Sequence, residues 1–325
     1  MKSDTRDKII AYIRANGRVT PKDLVEHLGI SKQAFFVQAS KLLKLGELVK
    51  TGKPPRVYYS IPDKQAENSD TVTGTDLRNF INERYLYISP LGEKLDGVDG
   101  FSKWCHKTGQ RAEKTAKEYV AAQKKYDQWV KDGFINGDKK MSSTFDKVYV
   151  DTLYYLDFYS IERFGKTKLG QLLLYAKQSQ SKTVISELTD LIRGGVYSLI
   201  KKEKISSVGF VPATVRREVQ LMKELESGLA LPLRKIKIAK VQSELMVPQK
   251  TLVRLPDRIE NAARTIVVED NDNHENILII DDAVGSGATL NETARQIREK
   301  RIVKGKIIGL AIVGSFKGFD VISEV

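Results

Sequence analysis

Apolar residues recur at helical spacing in three short stretches at the start of the chain, each closed by a glycine. Ile9, Ile10 and Ile13 share one face of a helix predicted over Lys8 to Asn16, with Gly17 stopping it. Thr20-Pro21-Lys22-Asp23 reads as a capped helix start with proline in the first turn, and the short helix through Leu24, Val25 and Leu28 stops at Gly29. Ser31 caps a third helix, with Ala34, Phe35, Val37, Leu42, Leu43 and Leu45 as its apolar contacts. After Gly46, Glu47 to Lys50 and Arg56 to Ile61 suit two strands joined by a turn at Thr51 to Pro55. Helix, helix-turn-helix and hairpin thus fill residues 1–62.

The pattern weakens over residues 63–145, which read as a linker and a helical segment. Pro62 to Thr75 is polar and suits the linker. Asp76 to Tyr87 fits a short helix or strand, and Ser89 to Gly100 a loop. Trp104 to Gly133 suggests one long charged helix, with Ala116, Tyr119, Val120, Tyr126 and Trp129 among its apolar positions. Over residues 146–325 helices alternate with short buried strands at Ile205 to Pro212, Arg234 to Val241, Ile266 to Glu269, Ile277 to Ile280, Lys306 to Val313 and Phe319 to Val325. That alternation predicts an α/β domain on a parallel sheet with right-handed crossovers.

One of those strands leads into chemistry. Ile277-Leu278-Ile279-Ile280 has the length and β-branched content of a strand buried on both faces. It ends in Asp281 and Asp282, where open α/β sheets bind ligands. Ala283-Val284-Gly285-Ser286-Gly287-Ala288-Thr289 follows, with no bulky polar side chain to keep a ligand from the backbone N–H groups. A helix starting at Thr289 favours an anion at its amino end. Carboxylates for sugar hydroxyls and amides for a phosphate describe a ribose 5-phosphate site. A single Asp capping a helix is a commoner arrangement, but it leaves the second carboxylate without a purpose. No Lys follows Gly287, so this is not a P-loop, and Gly165-Lys166-Thr167 lacks the upstream glycine and strand of one.

This run resembles the phosphoribosyl-diphosphate (PRPP) motif of type I phosphoribosyltransferases. The resemblance implies that Asp281 and Asp282 hold the ribose 2′- and 3′-hydroxyls and that Ala283, Val284, Gly285, Ser286, Gly287, Ala288 and Thr289 wrap the 5-phosphate. Pro212, Ala213 and Thr214, followed by Arg216 and Arg217, resemble the place where these enzymes bind the pyrophosphate. Gln249-Lys250-Thr251-Leu252 with Arg258 and Asn261 resembles a segment of the competence-protein-F type, in which a mobile loop closes over the reaction; here it would fall within Leu245 to Asn261, and Lys250 and Arg258 would be the catalytic candidates. The implied reaction is displacement at ribose C1 with pyrophosphate leaving, Mg²⁺ being bound through PRPP rather than by direct protein ligands. The acceptor is not legible.

Residues 5–62 resemble the winged helix-turn-helix family, which implies a third helix in a major groove with Lys32, Gln33, Phe36, Gln38 and Lys41 near nucleic acid and with Lys53 and Arg56 on the wing. Charge supports this. The chain carries a net +13, and residues 1–60 hold twelve Lys/Arg against five Asp/Glu, or +7. Protein-interaction winged helices share the fold, so the charge concentration is what favours nucleic acid. The single cysteine, Cys105, excludes an intramolecular disulfide and suits a reducing, cytoplasmic setting. His27, His106 and His274 are scattered, which argues against a zinc site, and no apolar run is long enough for a membrane helix.

Three functions fit this order of parts. A regulator or sensor would couple PRPP, or a related ribose-phosphate nucleotide, to nucleic-acid binding, as purine-type repressors do. An effector would deplete nucleotides while held in check by nucleic acid; the architecture is similar to the winged-helix phosphoribosyltransferase-like proteins of retron anti-phage defence, which implies a reverse transcriptase and its msDNA as partners. A salvage transferase would use the winged helix only to dimerise, and self-association is expected in any case.

Overall fold

The computed structural model describes residues 5–53, 56–61, 71–213, 217–241, 252 and 254–315. They fall into two compact units, Met1–Tyr126 with Ile161–Lys168 and Asp127–Ser160 with Leu169–Val325.

The first unit opens with α1 (Thr5–Asn16), β1 (Arg18–Val19), α2 (Pro21–Leu28), α3 (Lys32–Lys44), β2 (Val49–Lys53) and β3 (Arg56–Ser60). The strands form an antiparallel sheet in the order β1-β3-β2. A capping box joins the Thr20 side chain to the Asp23 amide and the Asp23 side chain to the Thr20 amide, and Gly29 ends α2 at φ 62°. The Ser31 side chain accepts from the Ala34 amide to start α3. Ile9, Ile13, Leu24, Phe35, Leu42, Leu48 and Tyr59 close one core, each apolar side chain supplying about 1.5–3 kcal/mol on burial.

The rest of this unit holds α4 (Thr75–Arg84), the hairpin β4 (Leu86–Ile88) and β5 (Lys94–Asp96), α5 (Gly97–Lys107) and α6 (Ala112–Asp127). Tyr85, Phe101, Trp104, Tyr119 and Phe164 pack edge-on and tilted in one aromatic cluster. Gln110 Oε1 accepts from Arg18 at 2.7 Å and from Arg163 at 2.6 Å, and Arg163 also pairs with Glu118. The single long helix expected over Trp104 to Gly133 is instead two helices and a hairpin. Gly109, at φ 61°, turns the chain between α5 and α6. Asp132 (φ 53°) and Gly133 (φ 81°) then form the two-residue turn between β6 (Val130–Lys131) and β7 (Phe134–Asn136).

The second unit continues with α7 (Asp138–Thr144) and β8 (Thr152–Phe158); the short strands β9 (Ser160–Ile161) and β10 (Gly165–Lys166) follow, of which Ile161 and β10 belong to the first unit, and then come α8 (Lys168–Ser179), α9 (Lys182–Lys202), β11 (Ser207–Phe210), α10 (Leu221–Leu229), β12 (Arg234–Lys235), β13 (Ile238–Lys240), α11 (Leu255–Thr265), β14 (Ile266–Val268), β15 (Ile277–Val284), α12 (Ala288–Glu299) and β16 (Ile307–Gly314). Its seven-stranded sheet runs β12-β11-β15-β16-β8-β7-β6. β12, β11, β15, β16 and β8 are parallel, while β7 and β6 add an antiparallel edge, so the sheet is mixed rather than purely parallel. β16 and the Ile277 to Ile280 part of β15 are buried on both faces, as their aliphatic runs require, while Asp281 to Ala283 are half-buried.

Three strand expectations change. Arg234 to Val241 splits: β12 joins the main sheet and β13 leaves it to pair antiparallel with β14, so Ile266–Val268 is not in the main sheet either. β15 runs to Val284, because its ladder with β16 persists to the Val284–Gly314 pair; the two aspartates lie inside the strand rather than past its end. The following helix starts at Ala288, one residue earlier than expected. Phe319 to Val325 lies outside the described residues.

Candidate functional site

The chain order of the parallel strands creates a switch point. From β11 the next sheet strand, β12, lies to one side; from β15 the next, β16, lies to the other. The crevice between the carboxyl ends of β11 and β15 is where such sheets bind ligands. The Val211 amide donates to the Ile280 carbonyl at 2.9 Å, so Pro212 and Ala213 leave the sheet just past the carboxyl end of β11. Thr214, Arg216 and Lys250 lie outside the described residues.

Asp281 and Asp282 face two cations. Lys177, in the last turns of α8, pairs with Asp282 at 2.7 Å, and both side chains are largely buried, 23% and 13% exposed. Lys240 in β13 and Lys177 both act electrostatically on Asp281. Burial, and then the charge of Asp282, push the Asp281 carboxyl well above the ordinary range, with the two lysines opposing the shift. Burial lowers the Lys240 ammonium, against the pull of both aspartates. The Arg217 guanidinium donates to the Lys177 carbonyl and the Gln180 side chain accepts from the Val219 amide at 3.1 Å, so the chain after β11 is tied to the end of α8.

The loop after β15 is closely packed by the protein itself, with Ser286, Gly287 and Ala288 buried. Gly287 has φ 87°, and a Cβ there would stand 2.5 Å from the Met141 sulfur. Ser286 Oγ accepts from the Ala288 amide at 3.3 Å, and no described residue accepts from the amides of Gly285, Ser286 or Gly287. Thr289 sits in the first turn of α12. Arg258 lies in α11 and donates to the Leu252 carbonyl at 2.7 Å; residues 255–261 of the expected loop are helical, whereas 242–251 lie outside the described residues. Among the described residues no group of three or more His, Cys, Asp or Glu could hold a metal ion.

Sequence reasoning missed Lys177 and Lys240. A lysine on an amphipathic helix and another at a strand end look like solvated surface, and only the pairing reveals them. It also missed a buried Ser207–His274–Asp270 chain, with Ser207 Oγ 2.7 Å from His274 Nδ1 and Asp270 3.4 Å from Nε2. Burial raises the Asp270 carboxyl, but hydrogen bonds from the Asp272 amide and from His274 outweigh it and leave it low. This chain sits at the amino ends of β11 and β15, and Ser207 is fully buried, so it ties the sheet together and offers no nucleophile.

In the first unit, Lys32, Gln33, Phe36 and Lys41 are exposed on α3, while Gln38 is half-buried beside that face. Lys53 and Arg56 pair in register across the hairpin, and their side chains lie outside the described part.

Residues 2–46 match the family of winged helix-turn-helix DNA-binding domains, and with the α-β-α-α-β-β order the amino-terminal module is such a domain. A comparison with curated proteins returns no match. No helix among the described residues is long and apolar enough to cross a membrane.

Proposed function

We propose that this chain is a DNA-binding regulator whose α/β unit binds PRPP, or a related ribose-phosphate nucleotide, with a phosphoribosyltransferase-like site. The observation that carries the reading is the acidic pair at a sheet switch point, followed by a loop of small residues leading into a helix. Asp281 and Asp282 would take the ribose hydroxyls, the amides of Gly285, Ser286 and Gly287 the 5-phosphate, and Pro212 with Ala213 would border the diphosphate. Mg²⁺ fits only as a passenger: the donor set offers two carboxylates and two ammonium groups, so the ion would be held by diphosphate and ribose oxygens. When bound it would neutralise leaving-group charge. The chain's own residues would orient the sugar and exclude water.

Isothermal titration of PRPP with Mg²⁺ tests this. Wild type should release heat, and Asp281→Asn with Asp282→Asn should not; equal heats from both would discard the site. A sensor leaves PRPP intact and changes DNA affinity, whereas an effector or transferase consumes it.

A further inference from the structure

Six exposed residues of α3 share one face: Gln33, Phe36, Val37, Ser40, Lys41 and Lys44, at the i, i+3, i+4, i+7, i+8, i+11 spacing of a helix. The opposite face, Phe35, Ala39 and Leu42, is fully committed to the core. The outward face is divided along its length. Its amino-terminal half presents Phe36 and Val37, 48% and 56% exposed, beside the amide of Gln33. Its carboxyl-terminal half presents Lys41 and Lys44. Two large apolar groups on the helix that a winged helix-turn-helix domain lays in the major groove call for an apolar partner there. The thymine 5-methyl is the apolar group on the major-groove edge of a base pair, and the amino-terminal half of a recognition helix is the part that meets base edges.

We infer that Phe36 and Val37 are specificity-determining residues that read thymine methyl groups in duplex DNA, with Lys41 and Lys44 on the flanking phosphates. The occupant is duplex DNA rather than a protein, because the apolar pair is framed by Lys32, Lys41 and Lys44 in a segment of net charge +7. Gln33, one turn before Phe36 and Val37, is placed to bond adenine, so A·T pairs suit the whole front half of the face.

The test measures binding of the full chain to poly(dA-dT), poly(dA-dU) and poly(dG-dC) by fluorescence anisotropy at one salt concentration. The first two polymers differ only in the methyl group. Each contacted methyl should be worth about fourfold in affinity, so poly(dA-dT) should bind about four- to fifteenfold more tightly than poly(dA-dU). In Phe36→Ala with Val37→Ala the difference should fall below twofold while the salt dependence is retained, because the phosphate contacts remain. Both side chains are exposed, so the variant should keep its helical circular dichroism. Equal affinity of wild type for the two polymers, or a preference that survives in the variant, would overturn the inference. A variant that loses self-association in sedimentation while its DNA binding stays unchanged would identify the face as a protein interface and overturn it too. Failure to bind any polymer would remove the DNA-binding reading and this inference together.

Discussion

Replacing Gly287 by alanine probes the bend that carries the proposed site. At φ 87° an L-residue sits in left-handed backbone, which costs about 1–2 kcal/mol relative to glycine. The new methyl would also stand 2.5 Å from the Met141 sulfur and 3.2 Å from its methyl carbon, inside any normal contact. Met141 is 1% exposed, so its flexible end must re-pack within a filled core, adding about 1–2 kcal/mol, the lower part of the range for overpacking. Gly287→Ala should therefore destabilise by about 2–4 kcal/mol. Met141→Ala alone should cost about 2–5 kcal/mol through the cavity it leaves. Together the two changes should cost about 1–2 kcal/mol less than their sum, because the alanine methyl enters space that Met141 has vacated. Urea unfolding of the four proteins, followed by circular dichroism, measures the cycle. A Gly287→Ala variant within 0.5 kcal/mol of wild type, about the spread of neutral surface changes, would refute the backbone assignment, and strict additivity would refute the contact.

Other perturbations follow from the same structure. The raised Asp281 carboxyl means that the folded chain holds this proton more tightly than the unfolded chain, so its stabilising share is present at low pH and lost as pH rises from the ordinary carboxylate range towards the folded value. Relative to wild type, Asp281→Asn should gain melting temperature between pH 4 and pH 8, roughly the window opened by this shift, and a gain that shrinks with pH would contradict it. Lys177→Met strands a largely buried Asp282 and should cost about 1–3 kcal/mol, with much of the loss recovered by adding Asp282→Asn. Phe35→Ala empties the winged-helix core and should cost about 3–5 kcal/mol and abolish DNA binding, whereas Thr20→Ala removes one cap and should cost about 1 kcal/mol, both measured by thermal unfolding.

How much was legible depended on whether burial left a periodic mark. The winged helix was readable because each helix carries its own stop, Gly17, Gly29 and Gly46, all at positive φ, and because Thr20 and Ser31 cap as their residue types suggest. β16 and the Ile277 to Ile280 part of β15 were readable because a strand covered on both faces has no polar position to interrupt it, whereas Asp281 and Asp282 hid the true end of β15. The β6–β7 hairpin was hidden under charged residues that fit a helix equally well, although Asp132-Gly133 between Val130-Lys131 and Phe134-Ile135 is a recognised hairpin signal. The departure of β13 from the main sheet had no local signature at all. Ile236 still bonds Val208 through its amide, and the strand that follows turns to β14, a choice made by tertiary pairing.

The acidic pair shows why sequence alone reached a motif but not a site. A buried carboxylate resists desolvation and two adjacent ones repel each other, which is why the Asp281 carboxyl lies above the ordinary range. Such a pair persists in a fold only where cations answer it, and here the answer comes from Lys177 in α8 and Lys240 in β13, which share no motif with either aspartate. The consequence is an acidic pair already met by two lysines in the absence of ligand. A simple anion would gain the lysines but meet the aspartates, and a neutral sugar would gain the aspartates but leave the ammonium groups competing for them. On the proposed reading, a molecule with vicinal hydroxyls and phosphoryl oxygens would satisfy both sets at once: hydroxyls would replace Lys177 on Asp282, and the displaced ammonium would turn to phosphate. The paired charges would thus favour, on the proposed reading, the same mixed chemistry that the small-residue loop would suit, and the two constraints come from different parts of the chain.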